Sequence, residues 1–152
     1  MGDAGGMNVY VTESAAKMAS LGIEVDIFTR ATKSNLPESV EIAPGVTVKH
    51  LEAGPYEGIS KEELHSQLCA LTSSLMHYTA KFPQGYYDLI HSHYWLSGQL
   101  GWMASERLGI PLVHTMHTMA KVKNLSLAEN ESPEPLARAV GEEQVVHASQ
   151  GL

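Results

Sequence analysis

The sequence predicts an α/β fold, a Rossmann-like parallel sheet with helices on both faces. Three observations carry the expectation. Short apolar runs with strand character alternate along the chain with longer runs of helical spacing. The helical runs are punctuated by glycines or opened by capping residues. A glycine-rich stretch, "GDAGGMN", leads straight into the first helical run, as turns that hold an anion often do.

In order, apolar residues recur at helical spacing from Gly6 to Leu21 (Met7, Val11, Ala15, Met18, Ala19), with Gly22 as the stop signal. "IEVDIFT" (Ile23–Thr29) alternates at period two and reads as a strand. A polar stretch with Pro37 and Pro44 follows, then a second strand, Val46–Leu51. After the loop "EAGPYEGIS", the capping box from Ser60 to Glu63 is expected to open a helix running to about Ala80. "YYDLIHSH" reads as a strand, "WLSGQLGWMASERLG" as a helix closed by Gly109, and "IPLVHTMH" as another strand. A polar loop leads to a last helix, with Ser132 as its cap and Pro133 at its first position. The first helix has no strand before it and the last helix runs into "SQGL". The expectation is therefore a truncated single domain, 1–152, that lacks its first strand and is an internal piece of a longer chain.

Composition narrows the partners. Ten Lys and Arg stand against seventeen Asp and Glu, a net charge of −7. That balance argues against a nucleic-acid or anionic-membrane surface, so any anion site has to be local. The single Cys69 excludes an internal disulfide, fits a reducing cytosol, and reads as a small buried hydrophobe. No signal peptide and no apolar run of about 20 residues is visible, as expected of a cytoplasmic protein without a membrane span.

In open parallel sheets, ligands lie beyond the carboxyl ends of the strands. That rule selects the Gly2–Asn8 turn, His91, Ser92, His93 and Tyr94 after one strand, and His114, Thr115, His117 and Thr118 after the next. Backbone N–H groups and the helix dipole at such a rim favour a phosphate or a sugar hydroxyl. His91 and His93 are expected on opposite faces of their strand, with at least one of them in the core. Trp95 and Trp102 read as helix packing. Lys61, in the first turn of its expected helix, faces either solvent or an anion. The pairs "HSH" and "HTMH" also permit a metal-dependent hydrolase, although no Asp or Glu stands in register with them. A serine elbow, a Walker lysine motif and a complete dinucleotide fingerprint are all missing from the sequence.

Taken together, "GDAGGMNVYV", "GIEVDIFTRAT", "AGPYEGISKEEL", "YDLIHSHYWLSGQLGW" and "IPLVHTMHTMAKVKN" resemble the retaining GT-B glycosyltransferases of the sucrose-phosphate-synthase type. The likeness is greatest to the actinobacterial transferases that make N-acetylglucosaminyl-inositol phosphate for mycothiol. The resemblance implies the N-terminal, acceptor-binding half of a GT-B fold, with the donor-binding C-terminal domain absent. It implies small-molecule substrates, a UDP-sugar donor and an inositol phosphate acceptor. It implies no cofactor in this segment, no metal for the transfer step, and a complete protein that pairs as a homodimer, as family members commonly do. The acceptor site would comprise Asp3, Ala4, Gly5, Gly6, Met7, Asn8, Lys61, Tyr94, Thr118 and Arg138. Lys61 and Arg138 would supply charge to the phosphate, and Asp3 and Asn8 would orient ring hydroxyls. Gly6 matches the glycine that approaches the donor, and His117 the catalytic histidine beside the donor sugar. Ala4 stands where the family often has serine or threonine. The implied mechanism is front-face transfer with retention, the donor's own phosphate helping to remove the acceptor proton. Another sugar-phosphate transferase and a non-catalytic sugar-phosphate-binding module stay open beside this reading.

Overall fold

Helix α1 (Gly5–Ser20) forms where the helical spacing predicts it, and Gly22 ends it. With Gly22 at φ 87°, its N–H reaches the Ala19 carbonyl and the Ile23 N–H reaches that of Met18. This is the Schellman arrangement, which needs a residue free to adopt positive φ. Because Ile23 is spent on that cap, strand β1 begins later than expected, at Val25–Arg30. The computed structural model describes residues 5–60 and 63–152. These fall into two units, one ending at Leu75 and one running from Met76 to Leu152.

In the first unit β1 pairs in parallel with β3 (Val46–Leu51), in register from Val25 opposite Val46 to Arg30 opposite Leu51. The sequence reading misses β2 (Ser39–Ala43), which lies antiparallel on the far side of β3. Its turn puts Pro44 before Gly45, which has φ 76°, the order that a type II turn favours. β2 is mostly exposed, so it lacks the buried alternation that would have marked it. Ala15, Ala31, Val46, Leu51 and Ala53 are buried in this unit.

The helix expected from Ser60 is corrected. The Ser60 N–H and hydroxyl both donate to the Glu63 carboxylate, at 3.1 and 3.0 Å. A 3₁₀ turn at Leu64–Gln67 then intervenes, and helix α2 spans only Leu68–Thr79. The Ser66 N–H and hydroxyl both close onto the Glu63 carbonyl, which holds the tighter i to i+3 pattern. Cys69, in the first turn of α2, is exposed rather than buried.

In the second unit β4 (Ile90–His93) and β5 (Leu112–Thr115) are parallel neighbours, with His93 opposite Thr115. Between them runs α3 (Trp95–Leu108), which Gly109 ends at φ 68°. The segment around Gln150 and Gly151 also pairs with β5. Gln150 N–H donates to the Leu112 carbonyl, and His114 N–H to that of Gly151. A short helix α4 (Ala120–Leu125) occupies what the sequence suggests is a loop. Helix α5 covers Leu136–Ala148 and begins after the position expected from Ser132 and Pro133. Pro135 accounts for the difference: a residue before proline avoids the helical region, so Glu134 stays out of the helix and Pro135 becomes its cap. α3 and α5 approach closely because a Cβ at Gly98 would lie 2.7 Å from Val145, and one at Gly141 2.7 Å from Trp95.

Candidate functional site

β4 and β5 end side by side, and the chemistry gathers at their carboxyl ends within the second unit. Period two sends residues i and i+2 to the same face of a strand. His91 and His93 are therefore neighbours, with ring centroids 4.2 Å apart, which corrects the expectation of opposite faces. Ser92 points the other way, and its hydroxyl lies 2.7 Å from Nδ1 of the fully buried His114. His91 Nε2 meets Thr115 Oγ1 at 2.8 Å.

Beyond β5 the backbone turns sharply. Thr118 N–H donates to the Met116 carbonyl at 2.7 Å, while His117 between them has φ 61°. An i to i+2 bond with positive central φ is the rare, strained form of γ-turn. It brings His117 Nε2 to 3.0 Å from His93 Nδ1. One proton shared by two facing imidazole nitrogens opposes a second. Burial, then repulsion from His91, His117 and His114, pushes His93 down to about 4. Burial, then repulsion from His91 and His117, brings His114 down to about 4 as well. His91 and His117 also lie below the ordinary histidine value, burial being the first cause for each. The rim is thus a set of neutral imidazoles at physiological pH. Among the described residues no three His, Cys, Asp or Glu side chains gather around a common metal position.

Tyr94, after β4, is the second strained position. Its φ of 70° and ψ of 152° lie in a region that is essentially glycine-only. Its N–H still bonds the Thr115 carbonyl and its carbonyl still opens α3, so the ladder and the helix together hold it there. The strain turns its ring onto Arg138, whose Cζ lies 4.8 Å from the ring centroid.

Arg138 is 3% exposed, and its partners lie on three sides. Nε donates to Glu142 at 2.8 Å, Nη1 lies 2.9 Å from Glu134, and Nη2 donates to the Thr118 carbonyl and hydroxyl at 3.1 and 2.9 Å. Glu142 also accepts the Ala120 N–H, which anchors the start of α4. Lys123 on α4 donates to Glu134 at 2.6 Å.

The expected residues therefore fall into three sets. His117, Tyr94, Thr118 and Arg138 come together in the second unit. Gly5, Gly6, Met7 and Asn8 belong to the first unit and form the opening turn of α1, whose first N–H groups lack intrahelical acceptors. Asp3, Ala4 and Lys61 lie outside the described residues. Sequence reasoning misses His93 as the partner of His117, and it misses the carboxylates of Glu134 and Glu142. The i, i+4 spacing of Glu134, Arg138 and Glu142 was the available signal for the latter. A separate hollow of about 300 Å³, lined by Phe82, Tyr86, Tyr87, Arg107 and Ile110, lies before the strands, at the end opposite the imidazoles. No helix among the described residues is long and apolar enough to cross a membrane.

Comparison with known proteins gives this geometry a family. The chain is 62% identical over 151 residues to the D-inositol 3-phosphate glycosyltransferase of Streptomyces griseus, covering 99% of this chain and 32% of that protein. It is also 62% identical to D-inositol 3-phosphate glycosyltransferase 2 of Catenulispora acidiphila, with 99% and 35% covered. The chain thus spans about a third of the length of these curated relatives. Among solved structures, sucrose-phosphate synthase from Thermosynechococcus elongatus superposes with a TM-score of 0.84 at 32% identity, over 95% of this chain and 35% of that one. The model of the glycosyl transferase 4-like domain matches residues 5–152. The chain belongs to the glycosyl transferase 4-like domain family.

Proposed function

We propose that this chain is the acceptor-binding part of a retaining glycosyltransferase that moves N-acetylglucosamine from UDP-N-acetylglucosamine to 1D-myo-inositol 3-phosphate, a step of mycothiol biosynthesis. The observation that carries the reading is the 62% identity, over nearly the whole chain, to proteins named for D-inositol 3-phosphate glycosyl transfer. The chemistry of the rim is compatible with it. Arg138 and Lys61 would meet the acceptor phosphate, with Tyr94 and Thr118 as directional hydroxyls. Asp3, Ala4, Gly5, Met7 and Asn8 would surround the inositol ring. Gly6 would let the donor approach, since a Cβ there meets nothing within 4 Å of this chain. His117 would serve the donor sugar as a neutral hydrogen-bonding imidazole, in keeping with its lowered basicity. The transfer step in this reading proceeds on the donor's front face and requires no metal.

The likeness to sucrose-phosphate synthase favours a second reading, a transferase with a different sugar-phosphate acceptor. One experiment on the complete protein addresses both. Lys61→Ala and Arg138→Ala are expected to weaken the phosphorylated acceptor roughly 10- to 150-fold, the scale of a lost charge-assisted hydrogen bond. Donor affinity and the poor use of unphosphorylated inositol should barely change. Equal damage to inositol and inositol phosphate, or damage to neither, overturns the acceptor assignment. Comparing inositol 3-phosphate with fructose 6-phosphate as acceptors separates the two readings.

A further inference from the structure

Resting on the reading of Arg138 as the cation of the acceptor site, we propose that Glu134 is the built-in anion of that site, a carboxylate that the substrate's phosphate displaces from Arg138 and Lys123. The two oxygens of Glu134 are divided between two cations, Oε1 to Lys123 at 2.6 Å and Oε2 to Arg138 Nη1 at 2.9 Å. A phosphate monoester carries oxygens suited to the same bridge, with charge to spare.

The two carboxylates on Arg138 differ in how replaceable they are. Glu142 is 4% exposed, and both of its oxygens are also tied to the Ala120 N–H. Glu134 is 17% exposed, so solvent reaches it where it does not reach Glu142. The Glu134 backbone, in contrast, is fixed from both sides. Its N–H donates to Asn124 Oδ1 at 2.7 Å, and its carbonyl accepts from Asn124 Nδ2 at 3.3 Å. The side chain can therefore swing away while its Cα stays clamped to α4.

Charge gives the exchange its selectivity. Arg138 and Lys123 balance Glu134 and Glu142, so the closed cluster is neutral. Once the Glu134 carboxylate leaves, the cluster carries one net positive charge: Arg138 keeps Glu142, while Lys123, 50% exposed, loses its partner in the cluster. A neutral polyol cannot compensate that charge, whereas a phosphate dianion can. Glu134 would thus act as a specificity-determining residue, keeping Arg138 satisfied when the site is empty and setting a threshold that only an anionic acceptor passes.

The test uses the complete protein, with inorganic phosphate as the probe and saturating uridine diphosphate present to occupy the donor side. Glu134→Gln is expected to tighten phosphate roughly tenfold, the scale of one charge-assisted contact regained. Lys123→Met, which removes one arm of the bridge, should weaken phosphate and guards against a Glu134 variant that folds poorly. Glu143→Gln, which frees the exposed Lys121 on the same helix pair, should change it less than about twofold, since exposed pairs count for little. If Glu134→Gln and Lys123→Met leave phosphate affinity unchanged while Arg138→Ala weakens it, Arg138 is the phosphate residue and the exchange is wrong. If Arg138→Ala also has no effect, the acceptor reading itself falls. If Glu143→Gln tightens phosphate as much as Glu134→Gln, the effect is general electrostatics and the proposal is overturned.

Discussion

Tyr94 and His117 both hold positive φ at the rim, and the strain at Tyr94 can be measured. Its φ of 70° and ψ of 152° cost a residue with a Cβ about 1–3 kcal/mol. Tyr94→Ala and Tyr94→Gly lose the same ring from Arg138, but only glycine relieves the backbone. Denaturant titration is expected to find the glycine variant more stable than the alanine variant by about 1–3 kcal/mol. Equal stabilities would mean that the backbone is unstrained there. His114 offers a second test, through pH. It is fully buried, and its Nε2 has no hydrogen-bond partner, so a proton added there has nowhere to donate. Its folded-state value of about 4 lies below the ordinary 6.5, so the unfolded chain binds the proton more readily between those limits. The stability it contributes is therefore full above about pH 6.5 and is lost as pH falls toward 4. The loss for this one group is on the order of 3 kcal/mol. Melting temperature should fall across that window, and His114→Gln should flatten the slope; an unchanged slope would assign the acid sensitivity to other groups. At this scale the residue types of the site were legible in the sequence, since "HSHY" and "HTMHT" mark the strand ends. His91 beside His93 follows from the strand period alone, whereas the partners of His117 and Tyr94 were not legible, because positive φ sets them and nothing in a tyrosine or a histidine announces it.

Among the elements, the contact between α3 and α5 depends on small residues. Alanine is ordinarily favoured over glycine within a helix by about 1 kcal/mol. At Gly98 a Cβ would come within 2.7 Å of both Val145 methyls and 2.9 Å of the His114 ring, none of them the far end of a flexible chain. Overpacking of that kind costs about 1–3 kcal/mol, so the clash outweighs the propensity and Gly98→Ala should destabilise the chain. Gly6→Ala is the control, because a Cβ there meets nothing, and it should leave stability unchanged or slightly raised. Thermal unfolding of both variants checks the contrast, and a stabilised Gly98→Ala would show that α3 and α5 can separate. Elements with strong local signals were legible: α1 with its glycine stop, β3 to the residue, and α3 with Gly109 after it. β2 and α4 were not. β2 has little buried face to give it periodicity, and α4 is a six-residue helix held by the Glu142 carboxylate from a distant part of the chain. The late start of α5 was legible in principle from Pro135, had its effect on the preceding residue been weighed against the cap at Ser132.

For the molecule as a whole, the excess of seventeen acidic over ten basic residues means that any phosphate is recognised against an unfavourable overall charge. Recognition then rests on a few cations positioned by the fold, and in the second unit Arg138 and Lys123 are already balanced by carboxylates. Such a site binds an anion only when the remaining contacts of the substrate add to the exchange. Transfer is more demanding, since a bimolecular reaction gains most of its acceleration when both reactants are held in near-attack geometry. The chain spans about a third of its curated relatives, and the family resemblance assigns most donor contacts to a domain outside it. We therefore expect the 152-residue chain, purified and supplied with UDP-N-acetylglucosamine and inositol 3-phosphate, to form no glycosylated inositol phosphate above the protein-free background. Mass spectrometry of the reaction mixture reads this directly, with the complete protein as the positive control. Turnover by the isolated chain would mean that the donor, too, is held by these residues, and the division of labour between acceptor and donor domains would have to be abandoned.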